Sequence, residues 1–188
     1  MGNASSNIGI WMLGAGRLWI MYDLTDSEIM LGLLTFASAG PILLFSMWGG
    51  VVADRINRVM LVTFTRAMFA VTAILTGTLI TLNIIEPWHL LAISICNGIL
   101  LSFDIPCRHA IIPNLVPKRH LVNAISLQAM LGSGSAIIGP SLLPLMIHLF
   151  NISGVFFFIG IAYVFTSFMF AKLKSHPLPK DLEKKSPW

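Results

Sequence analysis

Three groups of charged residues stand out in a largely apolar chain, and their types and spacing limit the chemistry open to it. Asp54, Arg55 and Arg58 fall within five residues, shortly after Gly49 and Gly50. Asp104 and Arg108 bracket Ile105-Pro106-Cys107. Arg17 follows Gly14-Ala15-Gly16, and Asp23 closes the same apolar stretch. An arginine inside a membrane is costly and usually faces a cavity or a partner, so Arg17 is a candidate substrate contact. The alternative is that it lies one or two turns from the outer surface and snorkels, or pairs with Asp23. Asp23 and Asp104 are the nearest candidates for a proton-carrying carboxylate. Acid and arginine at adjacent helix ends also suit a salt-bridge latch. Intramembrane catalysis would need a nucleophile–base pair or a metal cluster; no Ser–His or His-x-x-x-His arrangement of that sort is present, and neither is a Gly-x-x-x-x-Gly-Lys-Ser/Thr phosphate loop. The reading is therefore not an enzyme, with no metal and no cofactor.

The elements that position these charges are membrane helices. Of 188 residues, 56% are hydrophobic and 11% charged, against about 25% charged in a soluble domain. Mean hydropathy is +0.83. No Asp, Glu, Lys or Arg falls between Glu28 and Asp54, Arg66 and Glu86, Glu86 and Asp104, or His120 and Ala171. Since roughly 20 apolar residues span a bilayer core, the chain is polytopic and its main partner is lipid. The net charge of +4 is not a nucleic-acid footprint, because the charges cluster at span ends. Cys96 and Cys107 are read as buried, inert thiols.

Six helices are expected. The first covers about 7–22 and the second about 29–52, with Pro41 kinking it. The third covers about 59–82, with Arg66 in its second turn reaching back to the interface. The fourth starts at Pro87-Trp88 and ends before Pro113. The fifth spans about 122–148 and should bend near Gly139-Pro140; Gly132, Ser133, Gly134 and Ser135 offer a small-residue packing face. The sixth covers about 153–171. The unit is 1–172, and 173–188 is a cytoplasmic linker or tail. Trp11, Trp19, Trp48 and Trp88 suit interface belts.

The connections at 23–28, 83–87 and 149–153 carry no Lys or Arg. The alternate ones carry Arg55, Arg58, Arg108, Lys118 and Arg119, and the stretch from Lys172 onward carries five lysines. By the positive-inside rule both termini face the cytoplasm of the cell inner (plasma) membrane.

The stretch from Gly50 through Asp54-Arg55 to Arg58 resembles the loop signature between helices two and three of the major facilitator superfamily. Asn57 stands where the family often has Gly, and Val59 where it has a second basic residue. Ser102 to Ala110, with Leu115-Val116-Pro117 and Asn123-Ala124-Ile125-Ser126, is similar to the helix four–five connection of one prokaryotic branch. That branch is the exporter-like transmembrane secretion effectors. Tyr22-Asp23-Leu24-Thr25-Asp26-Ser27 is similar to its first loop. Gly139-Pro140 matches the Gly-Pro of the antiporter signature, whereas Leu143-Pro144 replaces its paired glycines.

The resemblance implies an all-α integral membrane fold of two inverted three-helix repeats, half of a twelve-helix transporter. It implies a cytoplasmic gate of Gly50, Asp54, Arg55, Arg58, Asp104 and Arg108, with Asp104 paired to Arg55, Arg58 or Arg108. The implied function is export of a small-molecule substrate by alternating access. One half is not expected to transport by itself; its partner would be the missing C-terminal six-helix half or a second copy. The alternative reading is an accessory or assembly membrane protein without transport activity.

Overall fold

The computed structural model describes residues 2–55, 58–115 and 118–173, with side chains for 7–46, 48, 60–108, 119–120 and 122–169. These residues form helices alone: α1 (Gly2–Thr25), α2 (Glu28–Arg55), α3 (Arg58–Thr81), α4 (Pro87–Leu115), a 3-10 turn (Lys118–His120) and α5 (Leu121–Leu173). Four stretches are long and apolar enough to cross a bilayer: Glu28–Ser46, Met60–Thr81, Pro87–Arg108 and Val122–Met169. The last, at 48 residues, is twice the needed length.

The six expected helices are therefore not six separate elements. The fifth and sixth form one 53-residue element, α5, interrupted by a single non-helical residue, Asn151, at φ 58° and ψ 168°. The chain reverses there. An added Cβ at Gly139 would meet Trp11 Cβ and the Ile8 carbonyl, while Gly9 abuts the Tyr163 ring. Gly139 and Tyr163 thus lie beside the same turns of α1, although a straight helix would hold residues 24 apart about 36 Å from each other. The arms 121–150 and 152–173 are antiparallel, and the connection expected at 149–153 shrinks to one residue. Because only glycine adopts this backbone region without cost, Asn151→Gly should be neutral or raise stability by about 1 kcal/mol. Asn151→Val should lower it by a similar amount or more, read as a shift in the thermal unfolding midpoint in detergent.

The other reversals also use left-handed residues. Asp26, at φ 44°, closes α1 by donating its N–H to the Tyr22 carbonyl at 2.8 Å. Asn83, at φ 56°, ends α3 in a paired cap, with Asn83 N–H to Ile80 O and Ile84 N–H to Leu79 O. Pro87 then starts α4 at the one position where a missing N–H costs nothing. All three left-handed residues fall in the connections that carry no Lys or Arg.

Two boundaries differ from the sequence reading. Helix α1 is 24 residues long rather than short. Helix α4 passes Pro113 and ends at Leu115, since a proline so near the end forfeits one hydrogen bond and has only two residues after it. Packing runs mainly between α2 and α4, α3 and α5, and α1 and α5. Glycines set the close approaches: Gly98 of α4 against Ser38 and Pro41 of α2, Gly160 against Ile74 of α3, and Gly16 against Phe156. The core comprises Leu13, Met21, Phe69, Ala73, Leu90 and Phe156, while Phe36, Leu43, Leu44, Ile161 and Phe165 point outward as lipid contacts would.

Candidate functional site

Two polar features stand out among the described residues of this apolar bundle. The first gathers around Asp104, whose side chain is fully buried. Its Oδ2 lies 2.8 Å from Arg108 Nε and 3.6 Å from Arg66 Nη2. Both are ion pairs rather than aligned hydrogen bonds. Its Oδ1 is 3.0 Å from the Thr65 hydroxyl, which is also 2.9 Å from the Val62 carbonyl. One hydroxyl proton serves one of these acceptors at a time.

Arg66 is fully buried, with its guanidinium 5.7 Å from the centre of the Tyr163 ring. Arg108 also donates to Asn7 Oδ1 of α1. The cluster thus ties together α1, α3, α4 and the second arm of α5, and among the described residues it holds two cations against one anion.

The sequence reading placed Asp104 at a helix end and let Arg66 snorkel. Both expectations are corrected: the two side chains face each other across the α3–α4 contact, shut off from solvent. Sequence distance along a helix gives depth but not the face, so Arg66, Thr65, Tyr163 and Asn7 were missed as one cluster. An arginine and an aspartate embedded in neighbouring apolar segments near the same bundle end were the available signal. Of the expected gate, Asp104 and Arg108 do meet. Gly50, Asp54 and Arg55 lie in the last turns of α2 and Arg58 opens α3; their side chains lie outside the described residues.

The second feature is a cavity of about 430 Å³ between α1, α2, α4 and the first arm of α5. Trp11, Gly14, Arg17, Leu34, Ser94 and Pro140 are among its lining residues. Arg17 is 8% exposed and donates from Nε to the Leu13 carbonyl at 3.2 Å. Its Nη1 is buried without a hydrogen-bond partner among the described residues, as is the Ser94 hydroxyl. Asp23 is exposed on the last turn of α1, and no ion pair joins it to Arg17 among the described residues. Trp11, read as a belt residue, lines the cavity while remaining 49% exposed.

Two smaller expectations also change. Gly139 packs tightly on α1, but nothing described lies within 4 Å of a Cβ placed at Gly132 or Gly134. Pro140 and Pro144 lie inside α5 with helical backbone angles, and the bend near Gly139-Pro140 stays an expectation; the residue with non-helical angles is Asn151. Cys107 is buried as expected, whereas Cys96 is exposed on α4. No group of three His, Cys, Asp or Glu among the described residues could hold a metal ion.

Long apolar helices, outward-facing aliphatic residues and polar groups shut inside define an integral membrane protein with an internal ionic lock and a polar-tipped cavity. The chain belongs to the transmembrane secretion effector family of the major facilitator superfamily, which it matches over residues 1–186. It is 26% identical to the staphyloferrin A transporter of Staphylococcus aureus over 183 residues, 96% of this chain and 46% of that protein. It is 25% identical to the uncharacterized MFS-type transporter YfiS of Bacillus subtilis over 153 residues, 81% of this chain and 36% of that protein. The chain thus spans less than half the length of these curated relatives.

Proposed function

We propose that this chain supplies one of the two rocking bodies of a secondary transporter, and that it exports small molecules by alternating access. The observation that carries this reading is the family match along the whole chain, joined to its coverage of 46% of a protein named as a transporter. Alternating access needs two bodies moving about a central site, and the rest of such a relative's length would furnish the second. In this reading helices one to three and four to six are inverted repeats, with the two arms of α5 as helices five and six. Both termini face the cytoplasm from the plasma membrane. The ionic lock around Asp104 holds the cytoplasmic end, together with Asp54, Arg55 and Arg58. Arg17 and Asp23 are the candidate substrate and coupling groups.

The test is the purified chain in proteoliposomes, with an imposed proton gradient and a panel of hydrophobic dyes and siderophores. Alone it should move none of them; joined to a C-terminal six-helix body it should move at least one. Gradient-dependent movement by the chain alone, abolished by Asp54→Asn, would overturn the one-body reading and favour a working homodimer. Inactivity in both forms would favour an accessory or assembly role.

A further inference from the structure

The geometry points to the Arg17 cavity as a binding site for an organic oxyanion, a carboxylate or phosphate group carried on an apolar or aromatic body. This rests on the transporter reading and names the substrate class for it. Two donors in the cavity lack partners among the described residues: Arg17 Nη1 and the Ser94 hydroxyl. Both belong to side chains more than nine-tenths buried. The other hydroxyls of the lining are already used. Ser38 donates to the Leu34 carbonyl and Thr35 to the Leu31 carbonyl, each at 2.9 Å.

No aspartate or glutamate is among the described residues lining the cavity, so Arg17 has no described counter-charge where it sits. A buried guanidinium left so is expensive, and a bidentate oxyanion is the ligand that matches its planar fork. The remaining wall is apolar: Trp11, Ala15, Leu18, Leu34, Ala136 and Pro140. That composition suits a ligand with one anionic end and a carbon body, and it disfavours a cation. Gly14 is part of the design of the space. A Cβ placed there meets nothing within 4 Å, so the glycine leaves room that any side chain would take.

The same oxyanion chemistry is carried by a soluble organic acid and by an anionic lipid headgroup, so the test separates them. The full chain is placed in nanodiscs of neutral phosphatidylcholine, and binding of 2-naphthoate is followed by quenching of tryptophan fluorescence, Trp11 being in the wall. The uncharged isostere 2-naphthamide is the control. Naphthoate should bind at least tenfold more tightly than the amide. Arg17→Gln should weaken naphthoate about tenfold to a hundredfold, the range for a lost charge-assisted hydrogen bond, and leave the amide unchanged. Arg17→Lys should retain part of the preference and Ser94→Ala should lose a smaller part. Gly14→Val, which keeps the charge, should weaken both ligands by filling the space.

Should Arg17→Gln fail to give a monodisperse protein, Arg17→Lys, Ser94→Ala and Gly14→Val decide the matter. Equal binding of acid and amide, or naphthoate binding indifferent to these three substitutions, would overturn the site. Binding absent in neutral nanodiscs while phosphatidylglycerol is retained in an Arg17-dependent manner would keep the oxyanion site, assign it to a lipid headgroup and overturn its role as a substrate site. Binding is read without transport, so a chain that prefers the acid but moves no substrate even when joined to a C-terminal six-helix body would fault only the transporter reading. Transport of dyes by that joined protein without any acid preference would fault only this site.

Discussion

Asp104→Asn is expected to give a protein that either fails to fold or unfolds at a markedly lower temperature. Among the described residues Asp104 is the one anion facing Arg66 and Arg108, and its side chain is fully buried. Removing it strands a fully buried guanidinium, Arg66, whose other atoms have no hydrogen-bond partner among the described residues and which rests on the Tyr163 ring. Breaking a buried ion pair by deleting one partner costs about 3–5 kcal/mol, most of it for the charge left behind.

The cluster is lopsided, so the reverse change should be milder. Arg66→Met removes the surplus cation and leaves Asp104 paired with Arg108 at 2.8 Å and near the Thr65 hydroxyl. Unfolding midpoints in one detergent, compared for Asp104→Asn, Arg66→Met and the double variant, check this. The double variant should recover much of what Asp104→Asn loses. Equal costs for the two single changes would show that the charges are solvated and the lock is not buried.

Gly98→Ala should be the most damaging single-methyl addition among the described glycines. A Cβ there would overlap the backbone carbonyl oxygen of Ser38 and crowd Pro41 Cγ at 3.2 Å. A backbone atom cannot turn aside as a side chain can, so α2 and α4 would have to separate. Overpacking of this kind costs about 1–3 kcal/mol. Gly132→Ala is the contrast, since nothing described lies within 4 Å of its added methyl. Relieving a helix-interior glycine should stabilise it by up to about 1 kcal/mol. Thermal unfolding of the two variants side by side should move in opposite directions. A neutral Gly98→Ala would mean that α2 and α4 are not in backbone contact.

Much of this architecture was legible in the sequence, because charge-free runs of span length and the residues that interrupt them are linear properties. Pro87, the loops at 23–28 and 83–87, and the break near residue 151 could be placed that way. So could the meeting of Asp104 with Arg108, while for Arg17 the sequence left a cavity and a snorkelling position both open. What stayed hidden depends on the angular position of a residue around its helix. Arg66 is eight residues beyond Arg58, and from depth alone a long side chain at that point reaches water. Only the rotation of α3 against α4 turns it to Asp104 instead. Gly98 carried no signal, since a glycine in an apolar helix reads the same whether it touches lipid or another backbone. Conversely, Gly132 and Gly134 advertised a packing face that no described helix occupies. The Arg17 cavity was hidden for the same reason: its wall is assembled from four helices, and Ser94 and Gly14 are unremarkable in sequence.

The two-to-one balance of Arg66 and Arg108 against Asp104 also has an electrical meaning. All three residues lie within stretches long enough to span the bilayer. Where those stretches cross it, the surplus positive charge of the described cluster lies inside the membrane's electric field rather than outside it. Work of about 2.3 kcal/mol attaches to each elementary charge carried across 100 mV, and a proportionate share to any partial displacement. A body that tilted between inward and outward orientations would therefore shift fixed charge even with its cavity empty. The resting voltage would then weight one orientation over the other before any cargo arrived.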